Sequence, residues 1–322
     1  MSLKHFSVDY DQVNERGTFS SGDVLSGRVT VVAGEDTKVQ SLTVKAKGNV
    51  EVKWYGQDGA STVLHRDEKK YFCLERIILQ DKKIGDGSEI IHQGRSVYPF
   101  TFVIPNIDMP SSYEGKWGRI TYSLQAQLTQ SIGKIHKTRI EFPFRTKSEF
   151  PFAAKSEMPI VVLQEQQCAT KISFCGSGKV TLNVTSEKMG LTQGETMDVS
   201  VEVINGSNSA VTPKFFLCEK QIFVARAATT VHTSEILFGT GESVSAWTSR
   251  TIRNVLSIPP QLSPTFFNCS MIKLEYTLKV TLGGQLARDP DIKLPLVILP
   301  GSSQPCHQKA KCGSFHSKKV SN

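Results

Sequence analysis

Apolar and polar residues alternate with a period of two along most of the chain, the pattern of strands with one face in a core and one in water. In residues 43–55, Val44, Ala46, Val50, Val52 and Trp54 form an apolar face, and Lys45, Lys47, Asn49, Glu51 and Lys53 a polar one. Ile120, Tyr122, Leu124, Ala126 and Leu128 alternate in the same way with Thr121, Ser123, Gln125, Gln127 and Thr129. Val180, Leu182 and Val184 repeat it, as do Met197 to Val203 and Leu274 to Leu282. The best window for a helical stripe, around residues 66–79, is short and ambiguous. The pattern predicts an all-β protein of antiparallel sheets packed as sandwiches.

The same pattern occurs twice. Residues 104–128 overlay residues 258–282 at a constant offset: Ile104 on Ile258, Pro105 on Pro259, Pro110 on Pro264, and Ile120, Tyr122, Leu124 and Leu128 on Leu274, Tyr276, Leu278 and Leu282. Downstream, IEFPF at 140–144 matches IKLPL at 292–296. Upstream, a Gly-acid turn leads into an alternating strand at both 19–32 and 191–203. Three matches in one order predict two homologous β-domains in tandem. Each is long enough for a sandwich of about seven strands, the size of an immunoglobulin-like domain. The expected organisation is an N-terminal sandwich over 1–149, a linker over 150–171, a C-terminal sandwich over 172–300 and a basic disordered tail over 301–322.

Taken in order, SSGDVLSGRVTV, VYPFTFVIP and PSSYEGKWGRITYSLQA in the first half, with GLTQGETMDVSVEVIN, LSIPPQLSPTFFNCSMIKLEYTLKVTL and LPLVI in the second, resemble the arrestin pattern, specifically that of the α-arrestins or arrestin domain-containing proteins. The resemblance implies two arrestin-like β-sandwich cups and a non-enzymatic cytosolic adaptor. Such an adaptor binds cytoplasmic regions of membrane proteins, receptors and transporters, through concave faces and inter-domain loops. It directs their endocytosis or endosomal sorting after recruitment to the plasma membrane and endosomes. The chain departs from the family in lacking the PPxY motif that docks ubiquitin ligases: its adjacent prolines, Pro259 and Pro260, precede Gln-Leu. Asp289 stands where one aspartate of an arrestin ionic switch would sit, without a convincing set of partners. The alternative is a retromer-subunit-like trafficking scaffold of the same fold.

Composition sharpens this picture in a few places. The net charge of +8 favours anionic partners, such as acidic lipids or phosphorylated peptides. The basic residues are not interleaved with aromatics, which argues against nucleic acid. The N-terminus has no apolar segment of a signal peptide, and the seven cysteines are odd in number, so reduced thiols in the cytoplasm are expected. An extracellular receptor would run against both features, although Asn183, Asn205 and Asn268 each sit in an N-x-S/T pattern.

No histidine or cysteine spacing inside either domain fits a metal, and no nucleophile elbow or phosphate loop occurs. Catalytic, cofactor and metal sites are therefore all expected to be absent. Two basic runs are candidates for anion or cargo contact: Lys45, Lys47 and Lys53 on one strand face, and Lys134, Lys137 and Arg139 near the end of the first domain. The repeated loops diverge at 114–119, which makes Tyr113, Lys116, Trp117 and Arg119 exposed candidates for loop recognition. In the tail, Cys306 and Cys312 beside lysines are candidates for lipidation, the second signal that a single acyl chain needs.

Overall fold

The computed structural model describes residues 3–59, 61–80, 89–131, 133–147, 167–175, 178–283 and 291–301. They form strands and no helix. In the first half the strands are β1 (Leu3–Tyr10), β2 (Val24–Ala33), β3 (Thr37–Asp58), β4 (Ser61–Gln80), β5 (Glu89–Ile91), β6 (Gly94–Val103), β7 (Tyr113–Glu114), β8 (Gly118–Gln130) and β9 (Ile135–Glu141). In the second they are β10 (Gln167–Cys175), β11 (Gly178–Ser186), β12 (Gly190–Thr192), β13 (Thr196–Gly206), β14 (Thr212–Ala225), β15 (Ala228–Thr240), β16 (Thr248–Ser257), β17 (Ile272–Gly283) and β18 (Asp291–Leu299).

The first half pairs as β1-β2-β6 against β4-β3-β8-β7, with β5 on β3 and β9 on β8; the second pairs as β10-β11-β13-β16 against β12-β18-β17-β14-β15. All pairs are antiparallel except β12 with β18. Each half thus holds more strands than the seven expected, the surplus including the two- and three-residue elements β5, β7 and β12. β10 begins at Gln167, inside the stretch read as a linker.

The alternation lays down the core. Val44, Ala46, Val50 and Val52 of β3, and Tyr122, Leu124, Ala126 and Leu128 of β8, are buried on one face, with Val180, Leu182, Val184, Leu274, Tyr276 and Leu278 their counterparts in the second half. Complete burial of such a side chain contributes about 1.5–3 kcal/mol.

The repeat is structural in detail. Gly22 and Gly194 lie in the left-handed region, at φ of 80° and 82°. Each donates its N–H to an isoleucine carbonyl, Ile104 and Ile258 respectively. Asp23 accepts from the N–H of Ser20, and Glu195 from the N–H of Thr192. The Tyr122 hydroxyl donates to the carbonyl of Pro110 at 2.6 Å, and that of Tyr276 to the carbonyl of Ser263 at 2.9 Å. In both domains a buried phenol therefore ties the core strand to the proline loop preceding it.

Residues 66–79, ambiguous between helix and strand, belong to β4. Its pairing with β3 shifts register at Leu42/Thr43, where Ile78 is the extra residue, and at Gly48/Asn49, where Tyr71 is. These bulges, seven residues apart, break the period of two and imitate a helical stripe. Buried Asn205 donates to the carbonyls of Ser209, Val244 and Ser245 at 2.9, 3.1 and 3.0 Å, so its side chain is a structural tie and not an accessible glycan acceptor.

Candidate functional site

The loops in which the two repeats diverge face each other across the domain junction. From the first domain, the loop before β8 enters the end of the second sandwich. Tyr113 packs edge-on against Phe266 at 5.0 Å between ring centroids, and Trp117 against Phe223 at 5.7 Å and His232 at 5.5 Å. The Lys116 N–H donates to Gln221 Oε1 at 2.9 Å. Gly118 leaves no room for a side chain: a Cβ there would stand 2.8 Å from Val52 and 2.9 Å from Ile272.

From the second domain, the loop before β17 reaches back. Asn268 Nδ2 donates to Asp108 at 3.1 Å, the Tyr71 hydroxyl donates to the Cys269 sulfur at 3.3 Å, and Lys69 Nζ lies 3.5 Å from the Ser270 hydroxyl. The β4 bulge is what aims Tyr71 at Cys269. The N–H of Arg226, a left-handed turn residue at φ 53°, donates to Asp67 at 3.1 Å. Burial raises the pKa of Tyr71, Tyr113, Tyr122 and Tyr276, with secondary contributions from Cys269, Asp108 and Glu219.

This geometry corrects the expected exposure of the loop. Tyr113 is 8% exposed and Trp117 is half-buried, both turned to the second domain. Lys116 is exposed and places its ammonium 5.5 Å from the centroid of the Trp117 ring. Arg119 is exposed and pairs with Glu51 at 3.3 Å, a carboxylate that also holds Arg66 at 3.0 Å.

The two basic runs converge. Lys45 opposes Gln125 and Gln125 opposes Arg139, so both cations emerge on the outer face of the β4-β3-β8-β9 sheet, two strand spacings or about 10 Å apart. Lys137, opposite Gln127, and Lys47, opposite Ser123, lie on the same face in the adjoining rows. Lys45 is paired with Glu75 at 3.1 Å and Arg139 with Glu141 at 3.0 Å. Lys47, Lys53, Lys134 and Lys137 have no ion pair among the described residues. Lys53 stands apart at the outer end of β3, its N–H donating to the carbonyl of Trp117, and Lys134 lies in the β8–β9 turn.

The outer face of the second large sheet is mixed in charge. Lys279 holds Glu235 at 3.0 and 3.1 Å over the half-buried Phe216, and at the sheet's margin Lys171 of β10, in the other sheet, holds Asp291 at 2.7 Å. Burial and then Glu235 push the Cys218 thiol up to about 11, leaving it protonated and unreactive.

Arg145, which follows the second basic run in sequence, is half-buried at the end of the first domain. Its guanidinium donates to the Gly301 carbonyl at 3.4 Å, and its pKa is lowered by burial and by Arg16. Sequence reading did not give Gln221, Asn268 or Cys269 a part in a domain junction. The only available signal was the repeat itself, which makes residues 264–271 the counterpart of 110–117. Among the described residues no cluster of three His, Cys, Asp or Glu could hold a metal. No helix of the described residues is long and apolar enough to cross a membrane. Cys306, Cys312 and Asp289 lie outside the described residues.

Residues 6–145 match the family model described as arrestin (or S-antigen), N-terminal domain, and residues 176–305 that of the C-terminal domain. Arrestin domain-containing protein 4 of Mus musculus is 26% identical over 290 residues, which cover 88% of this chain and 69% of that protein. The Homo sapiens form is 26% identical over 297 residues, with 88% and 68% covered. Thioredoxin-interacting protein of Rattus norvegicus is 22% identical over 299 residues, covering 92% and 74%. With both sandwiches matched in order along nearly the whole length, the chain belongs to the arrestin family, on the side of its arrestin domain-containing (α-arrestin) members.

Proposed function

We propose that the protein is a non-enzymatic cytosolic adaptor that binds cytoplasmic segments of receptors and transporters and directs their endocytosis or endosomal sorting. The observation that carries this reading is the arrestin architecture over nearly the whole chain, with two sandwiches locked by reciprocal loops into one platform. Recognition is then a matter of surface. Lys45, Lys47, Lys137 and Arg139 gather on one outer sheet face from strands distant in sequence. Lys47 and Lys137 are the cations available to acidic or phosphorylated side chains, since Lys45 and Arg139 already hold carboxylates. Charge-assisted hydrogen bonds to phosphate are the strongest that such a face makes.

Lys116 and Arg119 extend that face at the domain junction, with Lys53 beside them. Tyr113 and Trp117 serve by holding the loop in place. The same cations would help the protein dwell at anionic membranes, each contributing about 1 kcal/mol at the surface, and acylation of Cys306 or Cys312 would strengthen that anchoring.

The test is co-precipitation from cells against a charge-matched β-sandwich. Enrichment of integral membrane proteins, reduced several-fold by Lys47→Glu with Lys137→Glu, is expected. No enrichment over the control would sink the adaptor reading.

A further inference from the structure

The two sandwiches protect their edges unequally. In the first domain, edge strand β4 carries Arg66, Lys69, Lys70 and Arg76, and Arg76 donates across to the Thr101 carbonyl of β6 at 3.1 Å. β6 itself contains Arg95 and Pro99. In the second domain, β10 is tied to β18 by Lys171 on Asp291 and by the Gln167 amide on the Pro295 carbonyl at 3.2 Å. Charge, proline and cross-ties are the ordinary means of keeping an edge from pairing with another chain.

On the opposite side of the second domain, β15 lacks proline, lysine, arginine and cross-ties, and its pairing with β14 carries a single bulge at Phe238. β15 ends one sheet and β16 ends the other. Among the described residues no hydrogen bond joins these two strands. β15 reads ATTVHTSEILFGT: thirteen residues with no proline, no lysine and no arginine, and its one acid, Glu235, is taken up by Lys279 on the sheet face. Its outer row of backbone groups is unpaired, and Val231, Ile236 and Leu237 are 46%, 47% and 57% exposed beside it.

At the far end of β15 lies an open cleft of about 320 Å³ lined by Gly241, Glu242, Arg250, Ile252 and Arg253 among others. Glu242 pairs with Arg250. Arg253 is exposed and has no carboxylate partner among the described residues. A long strand edge without proline or free charge ahead of its one bulge, apolar side chains along it and an unpaired cation at its end are what an extended acidic ligand requires.

We propose that β15 is a docking edge for an extended, acidic segment of a partner protein. The segment adds as a further strand to the five-stranded sheet. It lays apolar side chains along Val231 and Leu237, which share the outer face of the sheet, and sets an acidic side chain over Arg253 at the cleft. Backbone pairing supplies affinity, and the alternate side chains supply selectivity. Charge decides among occupants: the chain's own C-terminal segment, with Lys309, Lys311, Lys318 and Lys319, is repelled by the cation that an acidic segment satisfies. The proposal rests on the adaptor reading for the existence of a partner, and it places that partner's contact away from the basic face of the first domain.

A fluorescein-labelled octapeptide of alternating valine and glutamate, VEVEVEVE, serves as the probe on the full chain, with VKVKVKVK as its charge-reversed comparator. Fluorescence anisotropy is expected to show at least tenfold tighter binding of the acidic peptide. Arg253→Glu should abolish that preference, and Leu237→Lys, which blunts the edge without entering the core, should weaken binding at least tenfold. Hydrogen exchange should slow at β15 amides and not at β4 or β6. Thermal melts of both variants, expected to be unchanged, guard against misfolding.

Equal binding of the two peptides, no binding, or protection at another edge overturns the proposal. So does sedimentation showing a dimer in which β15 is already protected, since the occupant is then a second copy. The two readings fail separately. If membrane-protein capture is absent while the probe still protects β15, the adaptor reading falls and the edge stands. If capture persists and the probe leaves β15 unprotected, the edge falls alone.

Discussion

At the residue scale, the sharpest contrasts lie among the buried tyrosines and the paired glycines. Tyr122 and Tyr276 donate to loop carbonyls, whereas the Tyr113 hydroxyl is buried with no hydrogen-bond partner among the described residues. Phenylalanine at 122 or 276 strands an acceptor and should cost about 1–2 kcal/mol. Tyr113→Phe removes an orphan donor and should be neutral or slightly stabilising, which urea denaturation of the three variants checks. Gly22 and Gly194 give a second pair. A Cβ at either meets nothing closer than 3.7 Å, so the cost of alanine is purely conformational. Gly22→Ala and Gly194→Ala should each lose about 1–2 kcal/mol, and by similar amounts. The turns were legible because a Gly-acid pair before an alternating strand occurs at equivalent places in both halves. Tyr113 was misjudged because a tyrosine beside glycines reads as a solvent loop until the surface that receives it is known.

At the element scale, the strands were legible where one face met a core and the other met water. Legibility failed in β4, where two bulges cancel the alternation. One of those bulges shapes the domain junction, since Tyr71 meets Cys269 as the extra residue opposite Gly48/Asn49. The β8 end of the junction loop behaves alike: its indole, its lysine N–H and its close-packed Gly118 are all satisfied by the second domain. Trp117→Ala should therefore act on docking more than on either sandwich. Calorimetry is expected to resolve the unfolding of the chain into two transitions, with a loss of about 2–4 kcal/mol. Retention of a single cooperative transition at wild-type temperature would show that Trp117 does not couple the domains. The convergence of Lys45 and Lys47 with Lys137 and Arg139 could not be read from sequence, because the register of β3 on β8 and of β8 on β9 decides it.

At the scale of the whole molecule, the seam between the domains and the core strands beside it hold four buried phenols. Tyr71, Tyr113, Tyr122 and Tyr276 are all held above the ordinary tyrosine pKa, chiefly by burial. In the unfolded chain each loses its proton near pH 10, while in the folded protein each keeps it. Above pH 10 the unfolded state therefore binds fewer protons than the native state, and the stability of the native state falls as pH rises. Below pH 10 both states are protonated and these residues impose no pH dependence. Each fully shifted tyrosine contributes a slope of about 1.4 kcal/mol per pH unit. Four acting together should collapse the fold within about two pH units above 10, with the junction among the first regions lost. Urea midpoints between pH 8 and 11.5, followed together with tyrosinate absorbance, measure this directly. The expected result is a flat stability to pH 10 and then a steep fall, with ionisation of the four buried phenols coincident with unfolding. Ionisation of all seven tyrosines near pH 10 in a still-folded protein would show that the seam is open to water, and with it that the two domains are not docked as described.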